Sequence, residues 1–139
     1  MAPEIKKHST PCFHQDNATC NRALAAVRDS LYVIGGKWKL PIIIALLENP
    51  QRFRELQRSL EGITPKVLSK ELKELELNEF VTRTVYPTTP VTVEYRITEY
   101  SRTLKPVLNA LRVWGEQHRA RLKANAKAHR EKTPVENEK

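Results

Sequence analysis

The sequence predicts a mainly α-helical fold closed by a β-hairpin, in the α+β class. Three observations carry that expectation. Apolar residues recur at spacings of three and four from Leu24 to Leu75. The period falls to two between Phe80 and Ile97, and the helical period returns from Thr98 onward.

Size and composition bound the reading. The chain has 139 residues, 40% apolar and 29% charged, which suits one domain with a modest core. Residues 1–19 read as a flexible polar N-terminal tail, 20–122 as the folded domain and 123–139 as a basic, polar C-terminal tail. The net charge of +8 favours a polyanionic partner. The longest apolar run, Leu40–Leu47, contains a proline and is too short for a bilayer. No apolar stretch follows Met1, so no secretory signal is expected and the protein reads as soluble and intracellular. Two cysteines cannot build a disulfide framework and fit reduced thiols.

The elements follow in order. Leu24, Val27, Leu31 and Ile34 mark a helix over Arg22–Ile34, ended by Gly35-Gly36. Lys37–Glu48 is apolar almost all round and reads as the central buried helix. Pro41 is tolerated if it lies in the first turn, and Asn49-Pro50 stops the helix. A short helix covers Phe53–Leu60, and Glu61-Gly62 makes a tight connection. The next helix runs from Thr64 to about Asn78, with Thr64 as N-cap and Pro65 as first helical residue. Phe80–Tyr86 and Val93–Ile97 read as strands joined by the rigid loop Pro87-Thr88-Thr89-Pro90. Beyond Thr98, Leu104, Val107, Leu108, Leu111 and Trp114 share a stripe, with Pro106 expected to kink or restart the helix. Two helices joined by a short turn just before a hairpin is the layout of a winged helix-turn-helix.

On a helical wheel, Leu68, Leu72 and Leu75 fall within about 60° of each other. Lys66, Lys70 and Lys73 fall within about 60° on the opposite side, Ser69 beside them, with Glu71 and Glu74 on one flank. A helix that reads DNA needs an apolar back and a cationic, hydrogen-bonding front. Surface helices of soluble proteins carry the same pattern, and Glu71, Glu74, Glu76 and Glu79 leave this one slightly acidic overall. Arg52, Arg54 and Arg58 on the preceding helix, and the hairpin that follows, favour the DNA reading. Lys66, Ser69, Lys70 and Thr64 are then expected on or near base edges. Arg52, Arg54, Lys73 and the wing residues Thr88, Thr89 and Arg96 are expected mainly on phosphates. The basic residues from Arg119 to Lys132 could reach along a duplex or simply form a solvated helix end.

Several segments, in order and at matching separations, resemble the HxlR-type transcriptional regulators. They are Ile34-Gly35-Gly36-Lys37-Trp38-Lys39-Leu40, Arg52-Phe53-Arg54-Glu55-Leu56, Gly62 through Ser69, Val93-Glu94-Tyr95-Arg96-Ile97-Thr98 and Trp114-Gly115. The family comprises bacterial winged-helix proteins related to the MarR group. The resemblance implies a homodimer on operator DNA, with the reading helix at Thr64–Asn78 and the wing at Phe80–Ile97. It also implies dimerisation through the first and last helices, here Leu24, Val27 and Leu31 with Leu104, Leu108, Leu111 and Trp114. Without it those stripes read as ordinary core. Many members carry a cysteine thirteen residues before the tryptophan matching Trp38; here that position is Ala25, and Cys20 lies five residues further upstream. Redox sensing therefore does not carry over directly, and Cys20 stands as the candidate redox position or as a bystander thiol.

His8, Cys12, His14 and Cys20 form a Cys/His cluster whose spacing matches no usual zinc pattern, so no metal and no cofactor are expected. No catalytic constellation is present, so no enzymatic activity is expected. The expectation is a cytoplasmic, nucleoid-associated, sequence-specific regulator, a homodimer on a pseudo-palindromic operator. Its partners are double-stranded DNA, a second copy and a small-molecule or oxidant effector, with no membrane. A basic architectural or RNA-binding protein without an operator, or a winged helix used for protein interaction, are the alternatives.

Overall fold

A computed structural model describes residues 17–133. His8, Cys12 and His14, with the outer parts of both expected tails, lie outside them. The element order is α1 (Asn17–Ile34), α2 (Lys39–Glu48), β1 (Gln51–Arg52), α3 (Phe53–Ser59), α4 (Pro65–Leu77), β2 (Val81–Tyr86), β3 (Thr92–Ile97), α5 (Glu99–Arg102) and α6 (Lys105–Lys132).

The core is built by α2, α3, α4 and the root of the hairpin. Ile42, Ile43 and Leu46 of α2 meet Leu56 of α3, Leu68, Leu72 and Leu75 of α4, and Phe80, Val81 and Tyr95, all buried. These leucines are the ones the wheel assigns to the back of α4, so burying them turns its opposite face to solvent. Pro41 is the third residue of α2, where its missing N–H costs no helical bond. Gly36 and Gly62 both hold positive φ, +95° and +90°, the left-handed conformation that the breaks before α2 and α4 require.

The sheet is antiparallel with order β1-β3-β2. The hairpin pairs Val81 with Ile97 through to Tyr86 with Thr92. β1 is an addition to the sequence reading: Gln51 pairs with Tyr95 and Arg52 with Glu94, which fastens the start of α3 to the hairpin. Two residues are too few to show an alternation.

A cap at the end of α4 aims the wing. Glu79 adopts the left-handed conformation at φ 63°. The Phe80 N–H donates to the Leu75 carbonyl at 2.9 Å and the Glu79 N–H to the Glu76 carbonyl at 3.1 Å. This is the Schellman pattern, with a non-glycine residue where glycine is usual. The Thr98 and Ser101 hydroxyls close the other side. Thr98 donates to the Glu79 carbonyl at 2.6 Å, and buried Ser101 donates to the Phe80 carbonyl.

Two boundaries differ from those read in the sequence, and one expected break is found. α1 begins at Asn17, three residues before the expected domain start. Pro106 does restart the last helix: α5 ends at Arg102, and α6 opens with Pro106 in its first turn. α6 then continues to Lys132, ten residues into the stretch read as a C-terminal tail. Alanine and lysine dominate that extension, with Arg130 and Glu131, and all four are strong helix formers, so it stays helical without a core to pack on.

Candidate nucleic-acid interface

α3, the Gly62 turn and α4 form the helix-turn-helix, and β2–β3 form the wing. Thr64 caps α4: its side-chain oxygen accepts from the Val67 N–H at 3.3 Å, and Pro65 takes the first helical position. The Thr64 oxygen is therefore engaged in capping, and its O–H stays available to donate. Lys66, Ser69, Lys70 and Lys73 are all exposed along one face of α4, opposite the buried leucines.

The acidic flank of this helix is drawn toward the domain by Lys39, a residue that sequence reasoning did not single out. The Lys39 ammonium lies 2.8 Å from Glu71 Oε2 and 2.7 Å from Glu74 Oε2. Its side chain is 12% exposed, against 17% for Glu71 and 40% for Glu74, so the cluster is well shielded on the Lys39–Glu71 side. The Glu71 oxygen has no well-directed hydrogen bond and is served by the charge of the ammonium. Burial works against the charged lysine, but the two carboxylates more than offset it and raise its pKa. In turn the Lys39 hydrogen bond, then its charge, and more weakly the charge of Lys70, lower the Glu74 pKa. Two of the acidic residues that made α4 look balanced are thus paired inward, and its lysine face is left cationic. The sequence trace of Lys39 is a single cation in a mostly apolar helix.

A groove between α3 and the wing gathers more cations. Arg52, Arg54 and Arg58 line it from the α3 side, and Pro90, Val91, Thr92 and Val93 of the wing face them. Arg52 also borders a shallow hollow with Tyr86, Thr88, Thr92 and Glu94. The Glu55 carboxylate accepts from the Arg52 backbone N–H at 2.8 Å, which fixes the start of α3 and leaves the guanidinium exposed. The fold therefore brings Arg52 and Arg54 together with the wing.

The wing residues are less free than the sequence suggested. Arg96 Nε pairs with Glu94 Oε1 at 2.8 Å, and that carboxylate, by hydrogen bond and charge, raises the arginine pKa. Its charge is thus largely answered within the strand. Thr88 spends its hydroxyl inside the loop, donating to the Pro90 carbonyl at 2.8 Å, whereas Thr89 is exposed.

The stripes expected at a dimer contact divide in two. Leu24, Val27, Leu31, Leu111 and Trp114 are 45–63% exposed. Leu104 and Leu108 instead lean on the domain's own core, so within one chain they pack as part of the domain. Val107 and Leu122 extend the exposed α6 stripe, and the Trp114 and His118 rings stack at 5.0 Å within it. Cys20 lies in the first turn of α1 and is half-buried. Among the described residues, no group of three His, Cys, Asp or Glu side chains is arranged to hold a metal ion, and no single helix is long and apolar enough to cross a membrane.

The model of the HxlR-like helix-turn-helix family matches residues 33–123. An uncharacterized HTH-type transcriptional regulator of Bacillus subtilis, YtcD, is 42% identical over 93 residues, covering 67% of this chain and 74% of that protein. The chain is similar to the solved structure of the redox regulator HypR in its reduced form, with a TM-score of 0.67 and 39% identity over 71% of this chain and 98% of that one. It is also similar to a MarR-family transcriptional regulator from Enterococcus faecalis V583, with a TM-score of 0.64 and 33% identity over 84% and 99% of the two chains.

Proposed function

The chain belongs to the HxlR-like helix-turn-helix family of transcriptional regulators, and from that premise we propose that it works as a homodimer on a pseudo-palindromic operator. Two α4 helices would enter successive major grooves about 34–36 Å apart. Lys66, Ser69, Lys70 and the Thr64 hydroxyl address base edges, with Pro65 setting the helix start against the duplex. Lys73, Arg52, Arg54 and the exposed Thr89 hold phosphates. Thr88 and Arg96 sit at the wing as supporting groups, since each is already engaged within it. The observation that carries this reading is the exposed lysine face of α4, with its acidic flank paired to Lys39.

The dimer contact is assigned to the exposed α1 and α6 stripes, Leu24, Val27 and Leu31 with Leu111 and Trp114. Leu104 and Leu108 support it from behind. Exposed apolar residues of this number on two helices favour a protein partner, and a second copy supplies a matching surface. Acting on chromosomal DNA, the protein operates in the cytoplasm at the nucleoid, with no enzymatic step. A small-molecule or oxidant effector is part of the proposal. An oxidant would act at Cys20, tested by comparing operator release in wild type and Cys20→Ser under a thiol oxidant.

The deciding experiment is competition of operator against random duplex, with fragments selected from the source genome. Lys66→Ala or Lys70→Ala costs on the order of 1–3 kcal/mol in operator binding where the contact is to a base. Unchanged affinity in both variants removes α4 from the reading role. Equal affinity for all duplexes leaves an architectural protein, and absence of salt-sensitive binding leaves a protein-interaction module.

A further inference from the structure

Beyond Gly115, every residue of α6 from Glu116 to Lys132 is exposed. At about 100° per residue, Arg119, Lys123, Lys127 and Arg130 fall within roughly 80° of one another. Their step of three or four residues places successive cations about 4.5–6 Å apart along the axis. Arg112, on the same face, is answered by Glu116 at 2.8 Å, but among the described residues no ion pair involves the four cations beyond it. The Arg119–Lys123 and Lys123–Lys127 spacings set like charges one turn apart, which works against the helix; Glu116 pairs with Arg112, and Glu131, one turn beyond Lys127, makes no ion pair among the described residues. The apolar stripe of Val107, Leu111, Trp114 and Leu122 is centred roughly 135° round the helix, with Leu122 about 60° from Arg119 at the nearer edge, so the Lys123, Lys127 and Arg130 side stays open even when that stripe is covered.

We propose that this distal face of α6 is a second DNA-contacting surface, separate from α4, that binds the phosphodiester backbone of duplex DNA without reading its sequence. Four unpaired cations on one straight face match a row of phosphates and offer nothing selective to base edges. Half of this face, Lys127 and Arg130, lies past the end of the family match at residue 123. The inference rests on the DNA-binding reading above, but its test uses a duplex that carries no operator, so the two can fail separately.

The test compares the full chain with Arg119→Gln/Lys123→Gln/Lys127→Gln/Arg130→Gln on a random-sequence duplex across a range of salt concentrations. Glutamine keeps the helix propensity, and circular dichroism verifies the helix. The slope of log affinity against log salt becomes shallower by about 0.9 for each phosphate no longer neutralised. Preference for operator over random DNA stays as in wild type, because α4 is untouched. The charge-preserving Arg119→Lys/Arg130→Lys variant keeps the wild-type slope. A helical glutamine variant with an unchanged slope overturns the proposal. So does a glutamine variant that binds duplex DNA as before yet loses binding to vesicles of anionic lipid.

Discussion

Lys39→Met tests whether α4, the proposed reading helix, depends on a charge held behind it by Glu71 and Glu74. Methionine keeps the length and apolar body of the side chain and removes the ammonium that serves both Glu71 and Glu74. Leaving the Glu71 carboxylate, 17% exposed, without its cation costs about 1–3 kcal/mol of stability. On the DNA side the flank of α4 becomes more negative by one unit. If a phosphate lies on the order of 10 Å away, a water-like dielectric at low salt makes that roughly 0.4 kcal/mol per helix, or about 0.8 kcal/mol and fourfold for two helices. The effect shrinks with added salt. Fluorescence anisotropy on operator DNA and urea unfolding read the two costs separately. Adding Glu71→Gln/Glu74→Gln to Lys39→Met restores affinity. If Lys39→Met loses stability but binds operator within twofold of wild type at low salt, the reasoning about α4 electrostatics is wrong.

Three further outcomes are expected. The Glu74 pKa is lowered in the fold, so its stabilisation is full above its usual value near 4.5 and is lost as pH falls through the lowered value; that of Lys39, whose pKa is raised from 10.5, is full below 10.5 and lost as pH rises through the raised value. Urea midpoints across pH therefore show an acid limb that flattens in Lys39→Met, and an unchanged limb contradicts the assignment. Glu79→Gly relieves a left-handed backbone at φ 63° and raises stability by about 0.5–1 kcal/mol once the glycine entropy is set against it, read as a higher urea midpoint. Leu111→Glu/Trp114→Glu places charge in the exposed α6 stripe and converts the proposed dimer to monomer by light scattering; a dimer that persists moves the contact elsewhere.

What the sequence made legible was local. The Thr64-Pro65 start of α4, the leucine back against the lysine front, the change of period at Phe80 and the restart at Pro106 all depend on neighbours within a turn or a strand. β1 escaped because its pairing with Tyr95 and Glu94 spans more than forty residues, and a two-residue strand has no pattern of its own. Lys39 escaped for a similar reason: its partners lie two helices away. The α6 extension reads as a tail in the sequence because it lacks an inward face, yet its alanines and lysines favour helix by themselves. Leu104 and Leu108 share a stripe with Leu111, and only the fold separates those that meet the core from those that meet solvent.

The Phe80 carbonyl takes the Thr98 N–H at 3.1 Å as well as the Ser101 hydroxyl, at the point where α4 hands over to the hairpin. The two strands of the wing are thereby tied together beside the end of α4, which holds the wing at a set distance from that helix. Such a gauge tolerates a changed letter within the operator better than a changed distance. Inserting one base pair between the stretches touched by α4 and by the wing should harm binding more than any single base exchange under the wing.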